Sequence, residues 1–174
     1  MLYIAYGSNM NKSQMQVRCP KAKPIGAGYL KGWRLVFRGV ADIISDKDAT
    51  CPVAIWDLTD ECVKALDLYE GVPTLYERIT LKNSKEKFIT YVMHRNDYAL
   101  PVTPYYDGIE QGYKDFFGKD FEKAKPYLKE ALLYTQHSKS TDGYGGHFPL
   151  RFARSQIKYP HSYLLSAWQE VDVL

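Results

Sequence analysis

Apolar and polar residues follow two periods along this chain, one of two residues and one near 3.6, and their alternation predicts an order of elements. Leu2-Tyr3-Ile4-Ala5 is an apolar, β-forming run that stops at Gly7-Ser8-Asn9, and a basic, helix-compatible stretch follows over residues 11–18. This predicts a strand, a tight turn and the N-terminus of a helix. Residues 24–29 and 33–37 predict strands broken by Lys31-Gly32, and Asp46-Lys47-Asp48 a polar turn. Residues 52–58 predict a buried strand carrying Val53, Ile55 and Trp56. A helix then starts at Thr59, a favoured N-cap, with Asp60 and Glu61 complementing its dipole and Gly71 as the C-cap. Residues 76–82 and 88–94 predict two more strands around an Asn83-Ser84-Lys85 turn.

Thr103-Pro104 opens the next helix, with Thr as N-cap and Pro at the first position. Its core face is Tyr105, Ile109, Tyr113 and Phe116, and Gly118 ends it. A further helix runs through residues 129–134, with Pro126 tolerated only near its start. Residues 138–146, rich in Gly and Ser, predict a linker or exposed loop. The tail over residues 147–174 has no clear period. It fits a strand or two packed on the domain, an idle extension or, less well, a partner-binding arm. Strands and helices intermix without a regular βαβ repeat. The expected fold class is therefore α+β (mixed α/β), a mixed sheet or small mixed β-barrel with peripheral helices and not a doubly wound parallel fold. The expected organisation is one domain over residues 1–137 and a C-terminal extension over residues 138–174.

Composition narrows the class. The chain has 174 residues, 45% of them hydrophobic and 25% charged, which suits one globular domain with a core and excludes a disordered chain. A net charge of +3 without a basic block gives no reason to expect nucleic acid. Cys19, Cys51 and Cys62 are odd in number and lack a CxxC spacing, so reduced thiols and a cytoplasmic location are expected. His94, His137, His147 and His161 are scattered without ligand spacing, so no metal site is expected. No apolar run reaches the ~18 residues of a membrane span, and the first residues do not resemble a secretory signal.

Three places carry candidate chemistry. At Tyr6-Gly7-Ser8-Asn9-Met10, Gly7 permits a backbone conformation closed to other residues, and Ser8 and Asn9 favour caps and turns. Such a turn gathers backbone N–H groups that suit a carboxylate or an oxyanion, although an ordinary strand-to-helix connection has the same pattern. Cys62, Val63, Leu66 and Tyr69 make an apolar stripe, and Glu70 lies seven residues after Val63, about 20° away around the axis. Burial and the negative helix end would both raise a carboxyl there, as proton transfer near neutrality requires; the alternative is a rim glutamate paired with Lys or Arg. Leu68 on the opposite side implies a helix covered on both faces or an irregular last turn, and Asp67 is the competing carboxylate. Tyr105 sits in the first turn after Pro104, either orienting a substrate or filling the core edge. Ser8 lacks a His-Asp partnership, and no GxSxG elbow is present.

Taken in order, these residues resemble the γ-glutamylcyclotransferase family and its plant AIG2-like relatives. The likeness rests on Tyr6-Gly7-Ser8-Asn9-Met10 after the first strand, then on Gly32-Trp33-Arg34-Leu35-Val36-Phe37-Arg38. It continues in Ala65-Leu66-Asp67-Leu68-Tyr69-Glu70-Gly71-Val72 with Tyr76-Glu77-Arg78, and in Tyr105 before Ile109, Gly112 and Tyr113. It covers residues 1–134. The resemblance implies a small barrel with a cavity at one end and the release of a γ-glutamyl group as 5-oxoproline. It makes Glu70 the general base and acid, with Tyr6, Gly7, Ser8, Asn9, Met10 and Tyr105 binding substrate. It implies no metal or organic cofactor and a small-molecule γ-glutamyl substrate, with neither nucleic acid nor membrane as partner. A different leaving group on the same fold and a non-catalytic member that binds a small ligand or a partner are the competing readings. If the tail is an add-on, removal of the chain after His137 leaves a soluble, cooperatively folded domain by circular dichroism; insoluble product would mean that the tail supplies core.

Overall fold

Leu2–Ala5 forms strand β1, which is buried because it has a neighbour on each edge. It pairs antiparallel with β3 (Ala41–Asp57), Leu2 opposite Asp57, and parallel with β5 (Lys87–Met93), Leu2 opposite Phe88. The computed structural model describes residues 1–141 and 171–173. Among these, β1 is followed by a 3₁₀ turn at Ser8–Met10, α1 (Lys12–Arg18), β2 (Lys23–Phe37), β3 and α2 (Asp60–Tyr69). Then come β4 (Tyr76–Lys82), β5, α3 (Thr103–Phe117), a second 3₁₀ turn, α4 (Phe121–Thr141) and β6 (Val171–Val173). The sheet order is β4-β5-β1-β3-β2-β6.

The fold class is α+β as expected, but the sheet is open and not a closed barrel; its edges among the described residues are β4 and β6. Side chains take the place of a closing ladder. The Asp42 carboxylate accepts the Met93 N–H at 2.9 Å, and the Tyr76 hydroxyl donates to the Ala41 carbonyl at 2.8 Å. These bonds draw the start of β3 against the ends of β4 and β5, and the mouth between them becomes the site.

β2 and β3 form one long hairpin, turned at Gly39 with φ +83°. The expected break at Lys31-Gly32 and the expected turn at Asp46-Lys47-Asp48 are instead one irregularity in continuous strands. Lys31 pairs with Thr50 and Trp33 with Ser45, so residues 46–49 bulge opposite Gly32. The bulge holds its polar run by local bonds. The Asp48 N–H donates to Asp46 Oδ1 at 3.1 Å, and Arg34 Nε bonds Asp46 Oδ2 at 2.7 Å.

The helix ends follow the sequence closely at α2. Thr59 Oγ1 accepts the Cys62 N–H at 3.2 Å. Past the other end Gly71 has φ +67°, its N–H bonds the Leu68 carbonyl, and the Val72 N–H reaches back to Asp67. This is a Schellman closure. At α3 the cap is Val102, one residue earlier than expected, so Pro104 is the second helical residue. Ile109 and Tyr113 face the core as predicted, and Phe117, not Phe116, completes that face. α4 is longer than expected and takes in Pro126 and residues 138–141, where a linker was expected; it also runs through residue 137. The rest of that loop, and residues 147–170 of the tail, lie outside the described residues. The described tail segment, β6, pairs with β2 at Gly28–Leu30.

Gly112 lets α3 cross the Ser8–Met10 turn closely. A Cβ there would stand 2.6 Å from the Met10 carbonyl carbon and 2.8 Å from the Asn11 nitrogen. Met10 itself is fully buried, and its packing fixes the turn from below.

Beneath the site, Arg38 and Asp42 form an ion pair at 2.7 Å with 2% and 0% of their side chains exposed. Burial pushes the Asp42 carboxyl up, although Arg38 and the Met93 and Ile43 amides hold it back. Removal of Asp42 takes the ion-pair partner from the buried Arg38 guanidinium and the acceptor from the Met93 N–H. Asp42→Ala is expected to cost about 3–5 kcal/mol in urea unfolding; a loss below about 1 kcal/mol would mean that Arg38 is satisfied by other groups.

Candidate active site

The chain leaves β1 at Ala5 and turns at once through Tyr6 and Gly7 into the 3₁₀ turn. Gly7 has φ −112° and ψ −141°, outside the left-handed region. Space also calls for glycine here. A Cβ on Gly7 would meet Ala41 Cβ at 3.0 Å and the Tyr105 oxygen at 3.4 Å. The turn closes through the Met10 N–H to Gly7 O and the Asn11 N–H to Ser8 O. That geometry leaves the first-turn amides of Ser8 and Asn9 without a carbonyl inside the turn.

Asn9 is buried and uses every polar atom of its side chain. Its Nδ2 donates to Glu70 Oε1 at 2.8 Å and to Tyr3 Oη at 2.9 Å. Its Oδ1 accepts from Arg18 Nη1 at 2.6 Å, and its carbonyl accepts the Trp56 indole N–H at 3.0 Å. Because Arg18 only donates, the amide orientation is determined: oxygen to Arg18, nitrogen to Glu70.

Glu70 is the C-cap residue of α2, just past the helical turns and fixed by the Gly71 closure. Val63 and Leu66 anchor the helix in the core, while Leu68 is 85% exposed. The helix is thus covered on one face, and Leu68 lies on the open one. Burial raises the Glu70 carboxyl above its ordinary value, and the Asn9 hydrogen bond and the Arg18 charge hold back part of the rise. Asp67, the competing carboxylate, is engaged elsewhere: it bonds Arg78 at 2.5 Å and accepts the Tyr91 hydroxyl at 2.8 Å.

Tyr6, Gly7, Ser8, Asn9, Glu70 and Tyr105 line one cleft of about 300 Å³, counting its open mouth. Met10, expected with them, lies outside the lining. Tyr3, Ala41, Tyr76 and Tyr91 complete the wall and were not anticipated. Their signal was the abundance of Tyr, 15 residues in the chain, together with strand periodicity that puts rings on one face. The phenols are tied in place. Tyr6 donates to the Tyr91 carbonyl at 2.6 Å, and the Ala41 N–H donates to the Tyr105 oxygen at 3.0 Å. Ala41 is thus gripped at both backbone groups, by Tyr105 and by Tyr76. Burial first, with the charge of Glu70 adding to it, raises the pKa of Tyr3, Tyr6, Tyr76, Tyr91 and Tyr105, so all five stay neutral hydroxyls near pH 7.

Among the described residues no cluster of three His, Cys, Asp or Glu residues could hold a metal ion, and no helix is long and apolar enough to cross a membrane. The three cysteines are buried free thiols outside the cleft, and burial pushes Cys19 up to about 12.

The structure therefore defines an α+β domain with a small polar cleft holding one carboxyl of raised pKa among neutral donors. The chain belongs to the γ-glutamyl cyclotransferase, AIG2-like family, whose model matches residues 3–112. No curated protein matches it significantly. Among solved structures, a protein described as gamma-glutamyl cyclotransferase superposes with a TM-score of 0.66 at 24% identity, over 74% of this chain and 86% of that one. An uncharacterized protein from Homo sapiens superposes with a TM-score of 0.63 at 24% identity, over 71% and 85%. YkqA from Bacillus subtilis gives 0.57 at 22% identity, over 74% of this chain and 54% of its own length. These likenesses establish the shared fold.

A raised carboxyl also has a consequence for stability. The folded protein holds Glu70 above its ordinary value of 4.5, so the ionised form opposes folding. That penalty is absent below pH 4.5 and complete once the pH exceeds the folded value. Glu70→Gln keeps the shape and can still accept from Asn9. It is expected to raise the melting temperature at pH 7, with the gain disappearing as the pH falls to about 4 in thermal scans. Equal melting temperatures at both pH values would show that the carboxylate carries no burial cost.

Proposed function

We propose that the chain is a γ-glutamylcyclotransferase that releases 5-oxoproline from a γ-glutamyl amino acid, amine or peptide. The observation that carries this reading is the Glu70 carboxyl, raised by burial and held 2.8 Å from Asn9 Nδ2 in a cleft walled by neutral hydroxyls.

The substrate supplies its own nucleophile. Its α-amine attacks its γ-carbonyl carbon and closes a five-membered ring, so most of the entropy of bringing two reactants together is already spent. The α-ammonium first gives up a proton. As the ring C–N bond forms, the same nitrogen gives up a second, and the leaving nitrogen takes one up as the γ-amide C–N bond breaks. Glu70 passes the first proton to solvent and then relays the second to the leaving nitrogen, a task suited to a carboxyl nearer neutrality than an exposed one. No water is consumed. The amides at Gly7, Ser8 and Asn9 are the donors for the γ-glutamyl group or its tetrahedral oxyanion. Tyr6 and Tyr105 hold the bent conformer against Glu70, and Met10 supports the turn from within the core.

The test is mass spectrometry for 5-oxoproline after incubation with a panel of γ-glutamyl amino acids, amines and peptides. The wild type is expected to produce it from part of the panel, and Glu70→Gln to be slower by about 100-fold or more. Undiminished turnover in Glu70→Gln would overturn the mechanism. Binding of panel members without product would instead establish a non-catalytic ligand-binding protein.

A further inference from the structure

We propose that Arg18 is a positioning residue for the cleft, acting on Glu70 through Asn9. The inference rests on the reading of Glu70 as the proton carrier, but its geometry stands by itself. Arg18 is the last residue of α1 and is not part of the cleft lining. Its Nη1 donates to Asn9 Oδ1 at 2.6 Å and to Ser8 Oγ at 3.1 Å, and its Nη2 donates to Gln14 Oε1 at 2.6 Å. The guanidinium carbon lies over the Tyr69 ring, 4.1 Å from its centroid, and Tyr69 is the residue directly before Glu70. One side chain thus grips the turn that lines the cleft on one side and the end of α2 on the other.

The bond to Asn9 has a directional effect. An Asn amide can flip by 180° at little cost unless a neighbour distinguishes oxygen from nitrogen. Tyr3 Oη can donate or accept, so it does not distinguish them. Arg18 does, because it only donates. With Oδ1 committed to Arg18, Nδ2 must face Glu70 Oε1, and the carboxylate receives a donor. Flipped, Asn9 would present its oxygen to the carboxylate and repel it. Arg18 also adds a positive charge one residue removed from Glu70.

The other titratable groups facing Glu70 do not offer an equivalent. From β1 and the turn after it come Tyr3 and Tyr6, from β4 Tyr76, from β5 Tyr91 and from α3 Tyr105, all neutral phenols near pH 7. Asp67 on α2 is bonded to Arg78 and Tyr91, and Asp42 lies beneath Ala41, paired with Arg38. Arg18 is therefore the cation that favours the ionised form of Glu70.

Two substitutions separate charge from geometry. Arg18→Met keeps the aliphatic stem and removes both. Arg18→Lys keeps the charge but replaces the planar fork with a point donor that cannot serve Asn9, Ser8 and Gln14 in the same way. The Glu70 carboxyl is titrated by NMR with carboxyl-carbon labelling, which needs no turnover. Steady-state kinetics on a consumed panel substrate are then measured against pH. Arg18→Met is expected to move the Glu70 titration and the acid limb of kcat/KM to higher pH and to lower kcat by about 10- to 100-fold, with KM changed less. Arg18→Lys is expected to titrate near the wild type yet still lose kcat. In an Asn9→Ala background, the kcat loss from Arg18→Lys should shrink severalfold, as an effect transmitted through Asn9 requires. An unmoved Glu70 titration in a folded Arg18→Met, or full additivity of Arg18→Lys with Asn9→Ala, would overturn the proposal. If Arg18→Met does not fold, the additivity measurement decides alone. If no panel substrate turns over, the NMR titration still decides the coupling, while the absence of product counts against the cyclotransferase reading.

Discussion

The side-chain amide of Asn9 joins the fold to the cleft. It takes a bond from α1 through Arg18 and gives bonds to β1 through Tyr3 and to the end of α2 through Glu70, while the Asn9 backbone carbonyl takes the Trp56 indole of β3. A buried amide left with an unpaired atom costs on the order of 1–3 kcal/mol, so the amide's bonds stand or fall as a group. The packing of α3 reinforces them. Because Gly112 has no side chain, the helix packs directly on the turn that carries Asn9.

The opposite wall obeys the same logic with different groups. Ala41 opens β3, where a ladder would have to continue for the sheet to close. Instead its N–H goes to Tyr105 and its carbonyl receives Tyr76, so the open end of the sheet is satisfied by hydroxyls that also line the cleft. Just beneath, the buried pair of Arg38 and Asp42 takes up the Met93 amide. The seam that would have made a barrel is replaced by side chains, and the cleft occupies that seam.

Much of this was legible in the residues and some was not. The caps of α2, the stripe of Val63 and Leu66, the turn after β1 and the meeting of Glu70 with that turn all follow from local chemistry or from ordered motifs. Local chemistry failed where the decisive contact is distant in sequence. Asp46-Lys47-Asp48 has the composition of a turn, but pairing with β2 carries the strand through it and Arg34 anchors the bulge. Gly7 carries the signature of backbone freedom, but nothing local shows the close approach of Ala41 and Tyr105 that also calls for glycine. Tyr3, Tyr76 and Tyr91 look like ordinary strand residues, since only sheet order brings them to one mouth. Arg18 reads as a basic last-turn residue, and nothing local marks its hold on Asn9.

Glu70 shows why such a site needs a rigid frame. A carboxylate taken partly out of water would by itself swing outward or stay protonated. Its place beyond the last turn of α2 is fixed by Gly71, whose conformation directs the chain away and leaves the side chain over the cleft. The bond from Asn9 offsets part of the burial cost, and the cation behind Asn9 offsets a smaller part. A direct salt bridge would offset it more fully, but would lower the carboxyl toward the range of an exposed acid and make it a poorer proton carrier. The interposed amide separates these effects: it holds the carboxyl in position and leaves its pKa raised. Arrangements that favour such chemistry commonly cost stability, and here the cost falls on a network bound to four elements of the fold, which can bear it.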